Sequence, residues 1–135
     1  MSDKLKVLIA PLDWGLGHAT RCIPIIHSLV NAGFEVLIAA EGQIKNLLEI
    51  EFPTLQFIFL EGYRVKYART KKGLWLKLLG QLPQILHKIR REHQWLKGVV
   101  AKHDIKLVIS DNRYGLYHPR LHSIFITHQL LIQAP

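Results

Sequence analysis

The sequence predicts an α/β domain built on a parallel β-sheet with helices on both faces. Short apolar runs alternate along the 135 residues with longer stretches that carry apolar residues at helical spacing. Several of these runs are almost continuously apolar, as expected for strands that are buried on both faces. Right-handed crossovers through the helices would then give one three-layer, Rossmann-like domain that covers residues 1–135.

Each element follows from a local pattern. The apolar runs predict strands at Lys4–Ala10, Phe34–Ala40, Leu55–Leu60, Leu107–Ser110 and Ser123–Thr127. The helical spacing predicts a first helix that follows the turn at His18 and closes at 31–33, a second from Gln43 to Ile50 and a third from Leu74 to about Val100. Gly33 is the expected C-cap of the first helix.

Two prolines fall inside predicted helices. Pro24 is compatible with the first helix if Thr20 is its N-cap, because a proline in the first turn has no intrahelical hydrogen bond to lose. Pro83 predicts a kink or a split of the long helix near Gly80. The segment from Glu61 to Gly73 is expected to be a basic loop before that helix.

The charge distribution indicates an anionic partner. The formal net charge is +8, and nine Lys or Arg residues but no Asp or Glu occur between Gly62 and Arg91. An anionic membrane surface, a phosphorylated substrate or nucleic acid would fit this block, and a solvated helix face is the alternative. Nucleic acid is not expected, because the sequence has no recognition motif and no repeated stacking aromatics. The single cysteine, Cys22, and the absence of a leader or of a long apolar run predict a cytoplasmic protein.

Polar side chains follow the predicted strands. The stretch 7–18, VLIAPLDWGLGH, reads as a strand, a turn shaped by Gly15 and Gly17, and the start of a helix at His18. Asp111 follows the fourth strand, whose carboxyl end can neighbour that of the first strand. We therefore expect Asp111 to contact His18, to fix the ring tautomer and to make His18 a candidate general base.

Other interpretations of these residues stay open. His18 can be a helix-start residue with a solvated ring, and Asp111 can cap a turn with Asn112. Glu41 ends the second strand, where a ribose-binding acid would lie, so a nucleotide- or anion-binding module without catalysis is a second hypothesis. The dinucleotide fingerprint itself is incomplete, because Thr20 stands where a third glycine is needed. No spacing typical of metal ligands occurs, and no metal site is expected.

Three motifs resemble the GT-B glycosyltransferases. The stretch 15–25, GLGHATRCIPI, resembles the first loop and helix of that family, particularly the branch that contains the lipid-II-forming N-acetylglucosaminyltransferase. The stretch 125–129, FITHQ, is similar to a family strand that ends in a His-containing turn, and 111–115, DNRYG, falls where relatives place a loop that lines the cleft. One departure is that Arg21 stands where the family usually has proline.

The resemblance implies the amino-terminal, acceptor-side half of an inverting, UDP-sugar-dependent transferase. His18 would deprotonate the acceptor hydroxyl and Asp111 would support it. The implied substrate-binding residues are Gly15, Gly17, Arg21, Asn112, Arg113, His128 and Gln129. The UDP-sugar donor would be bound mainly by a carboxyl-terminal domain that this chain lacks, and no further cofactor is implied.

The resemblance also bears on the acceptor and on the cellular location. The acceptor hydroxyl would belong to a lipid-linked or cell-envelope glycan. The basic segment 62–91 would dock peripherally on the inner face of a bacterial membrane. The hexapeptide GHATRC is also similar to the opening of the UDP-sugar hydrolase in pseudaminic acid biosynthesis, so hydrolysis remains the alternative reaction.

Overall fold

The computed structural model describes residues 4–13, 16–62, 71–111 and 113–126, and it confirms the α/β prediction. The strands are β1 (Lys6–Ala10), β2 (Glu35–Ala40), β3 (Gln56–Phe59), β4 (Leu107–Asp111) and β5 (His122–Ile126). The helices are α1 (Leu16–Asn31), α2 (Gly42–Glu51) and α3 (Lys71–His103).

The five strands form one parallel sheet in the order β3-β2-β1-β4-β5. The chain moves outward from β1 to β3 and then crosses back through α3 to place β4 on the other side of β1. The register pairs Ala10 of β1 with Ser110 of β4, so the carboxyl ends of these two strands lie side by side. This reversal of strand order is the point at which open α/β sheets bind ligands.

Two apolar layers cover the sheet. Val7 and Ile9 of β1 belong to the layer packed with α1 and α2, whereas Leu8 and Ala10 belong to the layer packed with α3. This alternation is the period-two side-chain pattern of a strand. Because both faces of β1 are buried, its sequence reads as a continuous apolar run.

The carboxyl-terminal end of helix α1 is confirmed at Gly33. Gly33 has a φ of 90°, and its N–H donates to the carbonyl of Val30 at 3.1 Å. The N–H of Phe34 donates to the carbonyl of Leu29 at 3.1 Å, which completes a Schellman motif.

The amino-terminal end of α1 differs from the prediction. The helix begins at Leu16, and the Thr20 hydroxyl donates to the Leu16 carbonyl at 2.9 Å. The prediction of Thr20 as N-cap was therefore wrong, and Pro24 lies in the helix interior. The helix tolerates the lost backbone hydrogen bond because Ala19, Cys22 and Ile26 anchor one face of it in the core.

Helix α3 is longer than predicted and is not split. It runs without interruption through Gly80 and Pro83, and residues 71–73 of the predicted basic loop belong to it. Residues 63–70 of that loop lie outside the described part of the chain. A proline removes one backbone hydrogen bond, and the long flanking segments maintain the helix on both sides.

Candidate active site

The carboxyl ends of β1 and β4 bring His18 and Asp111 together. His18 lies in the first turn of α1, and Asp111 is the last residue of β4. The Nδ1 atom of His18 lies 3.0 Å from Oδ2 of Asp111, across 93 residues of sequence. The predicted contact is confirmed, and it lies at the reversal of strand order.

Asp111 is a fully buried carboxylate, with 0% of its surface exposed. The Nη2 atom of Arg21 donates to its Oδ1 at 2.6 Å, and the Cys22 thiol donates to its Oδ2 at 3.9 Å. A buried carboxylate is costly unless it is paired and hydrogen-bonded. Arg21 supplies the neutralising charge, so the site contains three coupled polar groups rather than a pair.

Arg21 also contacts the histidine ring. Its Nη2 atom lies 2.8 Å from Nδ1 of His18. The two residues are three apart on α1, which places them on one helix face. The resemblance alone suggested Arg21 for the site, and the helical spacing is the signal in the sequence that supports its position.

The Cys22 thiol is held in its neutral form. Burial raises its pKa to about 12, and the neighbouring Asp111 carboxylate adds to the rise. The thiolate is the reactive form of cysteine, so this side chain is not a nucleophile at neutral pH. The structure thus assigns Cys22 to packing beneath Asp111.

Arg113 is buried rather than open to the cleft. Only 2% of its surface is exposed. Its Nε atom donates to the Pro11 carbonyl at 3.0 Å, and its Nη1 atom donates to the Glu61 carbonyl at 3.2 Å. Nη1 also lies 3.5 Å from Oε2 of Glu92, which is itself buried. The side chain therefore connects the segments that follow β1 and β3 to helix α3. Its predicted contact with substrate stays a prediction.

The remaining predicted residues have different outcomes. Gly17 lies within the first turn of α1 and not in a turn before it, and an added Cβ would meet nothing within 4 Å. Neither sterics nor a positive φ requires glycine at this position, and its predicted contact with substrate stays a prediction. The other four predicted residues lie outside the described residues: Gly15, Asn112, His128 and Gln129.

Glu41, the basis of the second hypothesis, joins two strand ends. Its Oε1 atom accepts the backbone N–H of Gly62 at 2.9 Å. It also borders an open cavity of about 210 Å³ beside Asp13 and the first turn of α2. Glu41 thus contributes to the structure of the β2 and β3 ends.

The described part of the chain lacks two features. No group of three or more His, Cys, Asp or Glu side chains is placed there to hold a metal ion. None of the helices in that part has both the length and the apolar character needed to cross a bilayer.

Comparison with solved structures identifies the fold. The chain shares the fold of part of the plant UDP-glycosyltransferases, which are GT-B proteins. The first example is UGT73P12 from Glycyrrhiza uralensis, solved with glycyrrhetinic acid 3-O-monoglucuronide; it is 12% identical with a TM-score of 0.52. The second is UGT2 from Phytolacca americana, solved with UDP-2-fluoro-glucose and pterostilbene; it is 15% identical with a TM-score of 0.55.

The similarity covers most of this chain but a small part of each GT-B enzyme. It includes 80% of this chain and 24% of the Glycyrrhiza enzyme, and 85% of this chain and 27% of the Phytolacca enzyme. No protein-family model and no curated protein matches the sequence. The likeness to the GT-B enzymes therefore establishes the fold.

Proposed function

We propose that this chain is the acceptor-side domain of an inverting, UDP-sugar-dependent glycosyltransferase. The observation that supports it best is the contact between His18 and Asp111 at the reversal of strand order. A histidine that is held by a carboxylate at this edge is suited to remove a proton from a bound hydroxyl.

The proposed reaction uses the two nitrogens of His18 differently. With Nδ1–H donated to Asp111, Nε2 takes the proton of the acceptor hydroxyl. The acceptor oxygen forms a bond to the anomeric carbon while the bond from that carbon to the phosphate oxygen breaks. The bonding electrons leave with UDP, and attack from the opposite face inverts the anomeric configuration.

The ligand classes are inferred from a structure of the same fold. The Phytolacca enzyme was solved with UDP-2-fluoro-glucose and pterostilbene, a nucleotide sugar and a small molecule. We infer a UDP-sugar donor and a hydroxyl acceptor here, the latter on a lipid-linked or envelope glycan. Since this chain spans 27% of that enzyme, we place most of the donor contacts on a second domain.

Replacing His18 tests the proposal. In the enzyme with its donor domain, His18→Ala should lower turnover by ~10²–10⁴-fold, because general-base catalysis contributes about that factor. The measurement is UDP release with a panel of UDP-sugars and hydroxyl acceptors. His27→Ala is the matched control, because His27 is on the same helix but contacts Glu51 at 3.2 Å. Turnover of His18→Ala equal to that of the control would refute the base assignment.

The same assay separates the alternative reactions. A hydrolase would release UDP at full rate without any added acceptor, whereas a transferase needs the acceptor. A non-catalytic module would release no UDP and would bind a nucleotide such as NAD in a manner weakened by Glu41→Ala.

We also propose that the basic segment 62–91 docks on an anionic membrane. Four leucines on one face of α3 are between 48% and 72% exposed: Leu76, Leu79, Leu82 and Leu86. Lys88, Arg90 and Arg91 follow them on the same helix. Exposed apolar side chains next to cations are typical of surfaces that bind anionic lipids.

Co-sedimentation with vesicles tests this surface. The chain should bind vesicles that contain an anionic phospholipid, and added salt should weaken the binding because it screens the cations. Replacing Leu76 and Leu79 by serine should reduce the bound fraction. The control is Ile50→Ser, since Ile50 is 79% exposed but lies on α2. Equal binding by the leucine variant and the control would contradict the proposal.

A further inference from the structure

The Nδ1 atom of His18 has two polar neighbours with opposite requirements. It lies 3.0 Å from the Asp111 carboxylate and 2.8 Å from the Arg21 guanidinium. A carboxylate only accepts hydrogen bonds, so that contact needs a proton on Nδ1. A guanidinium only donates, so the other contact needs the Nδ1 lone pair. One nitrogen cannot satisfy both neighbours at the same time.

The two arrangements give the neutral ring different chemistry. When Nδ1–H donates to Asp111, the lone pair is on Nε2, which is the form required of a general base. When Nδ1 accepts from Arg21, the proton is on Nε2, and that atom has no lone pair with which to accept a proton.

We propose that Arg21 is a positioning residue that controls which nitrogen of His18 carries the proton. While Arg21 occupies Nδ1, the ring is held in the tautomer that cannot act as a base. When the guanidinium turns away, Nδ1 takes up a proton from solvent and Nε2 releases its own to solvent. The new Nδ1–H then donates to Asp111, and Nε2 becomes the proton acceptor. The consequence for catalysis rests on the proposed function, whereas the control of the tautomer does not.

The contacts of Arg21 suit a residue that changes partner. Both of its hydrogen bonds to the described residues are made by Nη2, and its buried Nε has no hydrogen-bond partner among them. An arginine that binds a carboxylate with two nitrogens is held more firmly than one that uses a single nitrogen. The Arg21 side chain is also 35% exposed, so it can reach an anionic group outside the core.

Histidine ring nitrogen shifts test the proposal directly. The 135-residue chain is labelled with ¹⁵N-histidine, and the His18 signals are assigned by their loss in His18→Gln. Spectra are recorded at pH about 9, because high pH favours the neutral ring over the cation. In Arg21→Met the ratio of the Nδ1–H tautomer to the Nε2–H tautomer should rise about tenfold or more, because a hydrogen bond from a charged donor is lost.

Two controls make the outcome decisive. Arg120→Met removes a positive charge from an exposed position between β4 and β5 and should leave the ratio unchanged. If Arg21→Met does not fold, as judged from its amide spectrum, Arg21→Gln removes the same charge with a polar side chain. A ratio that changes less than twofold in the folded variant, or that falls, overturns the proposal. No turnover is measured, so this result is independent of the His18→Ala assay.

Discussion

Asp111 connects the polar residues of the candidate site. It contacts an imidazole, a guanidinium and a thiol, and all three belong to the first two turns of α1. The helix thus presents His18, Arg21 and Cys22 to one carboxylate that β4 supplies. At the residue scale, the reactivity of the site depends on the charge of each of these groups and on the hydrogen bonds between them.

Cys22 gives a prediction at this scale. Since burial raises its pKa to about 12, the native thiol should react with iodoacetamide at pH 8 roughly a thousandfold more slowly than the unfolded chain does. Mass spectrometry of the alkylated chain, with and without urea, measures both rates. The Cys22→Ala variant identifies any other site of alkylation. Equal rates in the two states would contradict the assignment of a buried neutral thiol.

The same pKa predicts how stability depends on pH. The unfolded thiol ionises near ~8.5, whereas the folded thiol stays protonated up to about 12. The contribution of this group is therefore fully present below pH ~8.5 and is lost as the pH rises toward the folded value. Urea unfolding of Cys22→Ala should show less loss of stability over this range than unfolding of the wild-type chain.

At the scale of elements, α3 has two different halves. Its second half packs on the sheet through Leu96 and Val99, whereas the leucines described in its first half are exposed: Leu76, Leu79, Leu82 and Leu86. The loop after β4 reaches the junction between the halves at Gly115. A Cβ at that position would overlap the carbonyl oxygen of Ile89 and would lie 3.0 Å from the Cβ of Glu92.

Two glycine substitutions test this close approach. Gly115→Ala should lower the free energy of unfolding by about 1–3 kcal/mol, because the added methyl meets backbone that cannot move cheaply. Gly98→Ala should raise the free energy of unfolding by about 1 kcal/mol. Gly98 lies inside α3 with nothing within 4 Å of its Cβ position, and alanine has the higher helix propensity. Urea denaturation measures the free energy of unfolding of both variants. A Gly115→Ala variant as stable as the wild-type chain would contradict the tight packing.

At the scale of the whole molecule, Arg113 joins segments that are far apart in sequence. Its guanidinium contacts the carbonyl that follows β1, the carbonyl that follows β3, and Glu92 on α3. Its own backbone N–H donates to the Ser110 hydroxyl on β4 at 3.1 Å. The carboxyl edge of the sheet, where the site lies, is therefore fixed in part by one buried cation.

Removing this cation should destabilise the chain. We expect Arg113→Met to lower the free energy of unfolding by about 3–5 kcal/mol, because it removes one member of the buried ion pair between Arg113 and Glu92. Replacing both Arg113 and Glu92 by methionine should recover part of that loss. The exposed Arg120→Met should change stability by less than about 0.5 kcal/mol. Thermal or urea unfolding measures the stability of each variant. Equal free energies of unfolding for Arg113→Met and Arg120→Met would refute this role.

The sequence predicted much of the fold because strand and helix periodicities are local. The five strands, the order of elements and the Schellman end of α1 at Gly33 were all predicted correctly. The error at Thr20 has a physical cause. Local propensity marks residues that start, turn or break a helix, but packing decided that α1 begins at Leu16 and that α3 continues past Pro83.

By itself, the sequence determined the α/β class, the alternation of strands and helices and the basic character of 62–91, because composition and periodicity are properties of neighbouring residues. It also indicated that His18 and Asp111 lie at the same sheet edge, since parallel strands end together. Only the tertiary structure decided that Arg21 contacts both His18 and Asp111, that the Cys22 thiol is neutral and that Arg113 is buried. Those properties depend on contacts such as the one that joins Arg21 to Asp111 across 90 residues, and no local pattern encodes them.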